Sequence, residues 1–146
     1  MKYKKKKNNT GIEFITIPMW ILDTFDLTMV EGAYYSFLLT FGYLTWDYEY
    51  TAKVLHISRR SVANIINKLK NKGIICIEKI EFGSRTRSII VPLYNEEGLI
   101  STEIIEGTIK KGKDSLTKYY NDGFNSDAKI ALEINKIPMQ NLHYNI

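Results

Sequence analysis

Only four arginines stand against sixteen lysines in this chain, and they fall in two places: Arg59 with Arg60, and Arg85 with Arg87. Lysine supplies the general surface charge, so arginine is reserved for positions where a planar two-pronged donor matters, as it does against phosphate or guanine. There is one cysteine, Cys76, in an apolar, strand-like run. A lone cysteine excludes an intramolecular disulfide and suits a reducing compartment, so the cytoplasm is the expected location. His56 and His143 lie far apart without cysteine partners, and no metal site is expected. No nucleophile constellation, phosphate loop or registered acid pair is present either, so neither a cofactor nor an enzymatic activity is expected. The longest apolar run, Ala33 to Trp46, is interrupted by Ser36, Thr40 and Gly42 and is too short to span a bilayer; no membrane partner is expected. The N-terminal lysines lead into Asn8-Asn9-Thr10 and Glu13 instead of an apolar stretch, which argues against a signal peptide.

Acid is missing where base is concentrated. Between Glu49 and Glu78 there is no Asp or Glu, while Lys53, Arg59, Arg60, Lys68, Lys70 and Lys72 all lie in that window. The formal charge of +4 is therefore unevenly spread: residues 1–94 are net positive and residues 95–146 net negative. A basic, acid-free stretch is the electrostatic footprint of a polyanion partner. At 146 residues with 45% hydrophobic content, the chain has enough apolar material for one domain with a core and an appendage.

Within the basic window, Ser58-Arg59-Arg60-Ser61 opens a helix whose Val62, Ile65, Ile66 and Leu69 follow the spacing of one buried stripe, and Gly73 stops it. At about 100° per residue the opposite face carries Arg60, Asn64, Asn67 and Asn71, flanked by Ser61 and Lys68. Before it, Thr28-Met29-Val30-Glu31 matches a capping box, followed by Val30, Ala33, Tyr34, Phe37, Leu38 and Phe41 as the buried side of a helix ending at Gly42. The aromatics here, with Tyr43, Trp46 and Tyr48, are expected in the core and not as a base-stacking platform. Thr51 to Leu55 reads as a second short helix, and His56-Ile57 as a turn with Ile57 plugging the joint. After Gly73, Ile74 to Phe82 and Ser88 to Leu93 read as strands joined by the polar turn Gly83-Ser84-Arg85-Thr86.

The order helix, helix, hairpin, with Leu27-Thr28-x-x-Glu31, then Ala52-x-x-Leu55-x-Ile57-Ser58-Arg59-Arg60-Ser61-Val62, then Leu69-x-x-x-Gly73-Ile74-Ile75, resembles winged helix-turn-helix domains. The resemblance is to MarR-type regulators and to the N-terminal domains of phage and plasmid replication proteins. It implies an α+β fold over residues 14–94, a three-helix core with a β-hairpin wing. It also implies a double-stranded DNA partner, with helix 58–72 in the major groove and the wing, 82–88, on the minor groove or backbone. The DNA-binding residues expected on this basis are Arg60, Ser61 and Asn64 at base edges, Ser58, Arg59, Lys68 and Lys70 at phosphates, and Arg85 and Arg87 from the wing. Transcription regulation and plasmid or phage replication or transfer both suit such a domain. The alternative reading is a winged helix used for protein–protein interaction, which would want an acidic or apolar helix face.

Flanking segments read less sharply. Residues 1–13 form a basic arm, with five lysines between Lys2 and Lys7, expected to be flexible. Residues 95–146 form a C-terminal extension punctuated by Gly98, Gly107, Gly112 and Gly123 into short runs such as Leu99 to Ile105 and Leu116 to Tyr120. Ser126-Asp127 caps a helix to Ile137 on one reading and precedes a strand on another. Docking on the domain, homodimer formation, or contact with a replication or transcription protein are the roles open to this extension, and a chain ending near Tyr94 is expected to fold.

Overall fold

The computed structural model describes residues 3–7 and 9–121. Five helices and a long hairpin are present among them: α1 Met19–Phe25, α2 Met29–Phe41, α3 Tyr48–Leu55, α4 Arg59–Asn71, β1 Ile75–Phe82, β2 Arg85–Pro92 and α5 Thr102–Asn121. A two-residue pair, β3 Tyr94–Asn95 with β4 Gly98–Leu99, lies between β2 and α5. Helices α2, α3 and α4 followed by an antiparallel hairpin make the winged helix-turn-helix expected from the sequence. No helix among the described residues is long and apolar enough to cross a membrane.

Helix α2 begins as its sequence dictates. The Thr28 hydroxyl accepts from the Glu31 backbone N–H at 3.3 Å, and Glu31 Oε1 accepts from the Thr28 N–H at 2.9 Å. The same carboxylate takes a second partner, the Lys68 ammonium on α4 at 2.9 Å, so one buried acid fastens the start of α2 to the middle of α4. Burial pushes the Glu31 carboxyl up, but the bonds from Thr28 and Lys68 outweigh it and the net shift is downward. A folded-state pKa below the unfolded one means that this tie stabilises the fold above the ordinary carboxylate range and is lost as pH falls through the lowered value. Almost every side of α2 is buried except its first turn, where Val30, expected in the core, is exposed. Gly32 lies where α1 crosses, and a Cβ there would displace the end of the Leu22 side chain.

Helix α3 starts earlier than its apolar residues suggest, at Tyr48, because Asp47 caps it by accepting from the Tyr50 N–H at 2.7 Å. It ends on His56, left-handed at φ 57, and Ile57 packs against the core. Trp46 meets Phe37 and Tyr50 edge-on, with ring centroids 5.2 Å apart in each pair, so these aromatics are core, as expected; Tyr48 is exposed.

The hairpin is in full register from Ile75 opposite Pro92 to Phe82 opposite Arg85. Its turn is only Gly83-Ser84, so Arg85 and Thr86, read from sequence as turn, belong to β2. Gly83 has φ 62 at the first turn position, a conformation glycine adopts without penalty. Leu44 pairs with Ile90 through two hydrogen bonds of 2.9 Å and adds a third, one-residue edge to the sheet. Tyr35 locks the hairpin base: its hydroxyl donates to the Tyr94 carbonyl at 2.7 Å and accepts from the Tyr94 N–H at 3.2 Å. Burial raises its pKa to about 12, so the phenol stays a donor throughout the physiological range.

Both faces of the hairpin are buried. Successive strand residues point to opposite faces, and here Ile75, Ile77 and Ile90 join the three-helix core while Cys76, Ile80, Phe82, Ile89 and Val91 pack in a second core with Leu116 and Ile109 of α5. Gly107 and Gly112 therefore do not break the extension into short runs. Ser101 caps α5 by accepting from the Ile104 N–H at 3.3 Å, and the helix continues for 20 residues through Gly107 and Gly112. Gly112 permits close approach to the sheet, since a Cβ there would sit 2.9 Å from Ile89 Cδ1. Residues 95–121 are thus part of the same packed unit, and a chain ending near Tyr94 would expose Ile89 and Val91. The arm is also tied in at its end: Thr10 is buried, its carbonyl accepts from the Tyr50 hydroxyl at 3.2 Å, and Ile12 packs on the core. The helix-or-strand reading near Ser126 lies outside the described residues.

If α5 completes the core, Leu116→Ala should lower the unfolding free energy by about 2–4 kcal/mol, measured by urea titration, because a fully buried leucine is lost and a cavity left. A change within about 0.5 kcal/mol, as is usual at surface positions, would make α5 peripheral.

Candidate nucleic-acid interface

Helix α4 is held by its apolar stripe, Val62, Ile65, Ile66 and Leu69, all buried, and its other side faces solvent. Ser58 is its N-cap: the hydroxyl accepts from the Ser61 N–H at 3.1 Å and donates to Ser61 Oγ at 2.9 Å. That hydroxyl is engaged in starting the helix, and Ser58 itself is exposed. Arg59, Arg60, Asn64, Asn67, Lys70 and Asn71 are exposed, with Ser61 half-buried beside them. No acid occurs in α4. Lys68 was expected at a phosphate, but its ammonium is held by Glu31, which neutralises it locally. Lys72 donates to the Phe25 carbonyl at 2.9 Å and closes the C-terminal end of α1.

The wing differs from the expected arrangement in one residue. Arg87 is buried, and its Nη2 donates to the Thr45 carbonyl. By register Arg85, Arg87, Ile89 and Val91 share one face of β2, and from there the Arg87 side chain reaches the loop before α3 and borders the groove between α4 and the wing. Arg85, near the turn, is exposed. The two arginines thus differ in burial, and Arg87 bonds the strand to the loop before α3.

The other face of the hairpin is the one turned toward α4. Lys79 on β1 and Thr86 and Ser88 on β2 share the parity of Ile77 and Ile90, which face the helices. Together with Asn67 and Lys70 of α4 they line a groove of about 580 Å³ between the helix and the wing. Asp47 also lines it, and Glu81 follows Lys79 by two positions toward the tip on the same face. Lys79, Thr86 and Ser88 were not singled out from the sequence. Strand alternation counted from Ile77 and Ile90 would have found them.

At the other end of α4, Lys6 and Lys7 line a second groove with Lys53 and His56, beside the turn between α3 and α4. The arm thus runs next to the basic start of α4. Lys5 pairs with Glu13 at 3.2 Å, both side chains largely exposed, a contact worth little in stability.

No protein-family model matches the chain, and no curated protein matches it. Among solved structures, a protein from Methanosarcina mazei Go1 described as a possible transcriptional regulator is similar over 72% of this chain and 86% of its own, with 17% identity and a TM-score of 0.41.

The two wing arginines should separate on substitution. Arg87→Ala should lower thermal stability, by about 1–3 kcal/mol for the buried bonds lost, whereas Arg85→Ala should leave the melting temperature within about 1–2 °C, since isolated surface changes stay within ±0.5 kcal/mol. Equal melting temperatures for both variants would return Arg87 to the surface.

Proposed function

We propose that this chain binds double-stranded DNA at a specific site, without catalysis, placing α4 in the major groove and the wing against the flanking backbone. The observation that carries this reading is the solvent face of α4: Arg59, Arg60, Asn64, Asn67, Lys70 and Asn71 are exposed on a helix without acids, beside a groove that Lys79, Thr86 and Ser88 enter from the hairpin. A protein-docking helix would expose apolar or acidic groups there. Arg60, Ser61 and Asn64 are the base readers, because arginine pairs with guanine and asparagine with adenine in two-pronged geometry. Arg59, Lys70, Lys79 and Arg85 carry the backbone contacts, which position the protein without reading sequence.

A DNA-reading protein of this kind serves either transcription or initiation at a replication or transfer origin. The position of the selected site relative to a promoter or an origin distinguishes the two. A palindromic site would mark binding as a dimer.

Selection from a random duplex pool, followed by titration at several salt concentrations, tests the proposal. Four to six neutralised phosphates should give a log–log salt slope of roughly −4 to −5. Arg60→Ala or Asn64→Ala should cost about 1–3 kcal/mol on the selected site and far less on random duplex. Equal losses on both duplexes, or collapse of site preference at the salt concentration where random binding vanishes, would overturn sequence-specific recognition and favour a protein partner.

A further inference from the structure

The lysines ahead of Thr10 have no part in the contacts of α4 and the wing, but their position is not free. Thr10 is buried, and its carbonyl accepts from the Tyr50 hydroxyl at 3.2 Å, so the chain is pinned to α3 at that point. Lys6 and Lys7 come just before it in sequence, and at about 3.6 Å of extended chain per residue neither strays more than about 15 Å from the pin. Both are exposed, and both line one groove with Lys53 and His56, which are exposed in the last turn and at the cap of α3. Among the described residues of that lining Glu13 is the one acid, and Lys5 holds its carboxylate at 3.2 Å. The groove shares none of its described residues with the one between α4 and the wing.

We propose that Lys6 and Lys7, together with Lys53, form a second contact with duplex DNA, on the sugar–phosphate backbone at the α3 side of the site, so that α4 is flanked by the wing on one side and the arm on the other. This rests on α4 lying in the major groove. In helix-turn-helix docking the helix before the reading helix crosses the backbone, and α3 is that helix here. A strand crossing its C-terminal end passes Lys53, and with it the arm. The arm has lysine and no arginine. Lysine is a compact charge on a flexible stem, suited to neutralising phosphates and not to two-pronged reading of bases, so this contact adds affinity without sequence preference. Much of the remaining lining, such as Ile12, Ala33 and Phe37, is apolar and offers a polyanion nothing, so the contact is with the exposed lysines alone.

The full chain carrying Lys6→Ala, Lys7→Ala and Lys53→Ala together is titrated against random duplex over a range of salt, beside the parent. A control carries Lys110→Ala, Lys111→Ala and Lys118→Ala, which remove the same charge from exposed positions of α5. The arm variant should flatten the log–log salt slope by roughly 1–2 units, at about 0.9 per phosphate no longer neutralised, while the control keeps the parent slope. On the selected duplex the arm variant should lose hydroxyl-radical protection at one flank and keep the base preference of the centre. An unchanged slope, or equal flattening by the control, would overturn the arm contact and leave the reading by α4 standing. A parent that binds no duplex would overturn both.

Discussion

The β1–β2 hairpin is buried on both faces, and strand alternation leaves it no choice about which polar residue goes where. Ile75, Ile77 and Ile90 must meet the helices, and Ile80, Ile89 and Val91 must meet α5. A one-residue slip would exchange the two sets and expose both cores. With register fixed, Lys79, Thr86 and Ser88 are turned toward α4, and Arg87, on the other face of the strand, reaches round to the Thr45 carbonyl. The wing is consequently a plate clamped between two hydrophobic layers, and not a loose loop. Its tip is braced from behind, where Phe82 stacks on Tyr120 of α5 with centroids 4.4 Å apart.

Polar groups at the joints complete this arrangement. Glu31 unites the cap of α2 with Lys68 of α4, and the Tyr35 hydroxyl ties α2 to Tyr94, two residues past the end of β2. Both act from α2, the most buried helix, so the helix and the wing are referred to one common element. The exposed face of α4 can then present Arg60 and Asn64 at a fixed angle to the groove that Lys79 lines, which is the rigidity a base-reading surface requires.

Much of this was legible in the chain of letters. Ser58 as N-cap, the stripe from Val62 to Leu69 and the Thr28–Glu31 capping box follow from strictly local spacing and stand where that spacing put them. What local spacing could not supply was the identity of the neighbour. Gly107 and Gly112 read as breaks because glycine weakens an isolated helix, but Gly112 is where α5 lies against Ile89. Arg87 read as a wing residue because arginine clusters suggest phosphate, yet its side is decided by Ile89 and Val91 two and four positions on. Lys68 read as a phosphate ligand because its acid partner is 37 residues earlier in sequence. The basic character of α4 was visible; the contribution of Lys79 needed the register of a strand pair.

Lysine modification by acetic anhydride, with and without a selected duplex, reads the orientation of the whole assembly at once. The account predicts that Lys70 and Lys79 become protected on binding while Lys110, Lys111 and Lys118, exposed on α5, keep their reactivity. Protection of the α5 lysines with Lys70 and Lys79 unchanged would contradict it, and would mean that the nucleic acid lies on the opposite side of the hairpin.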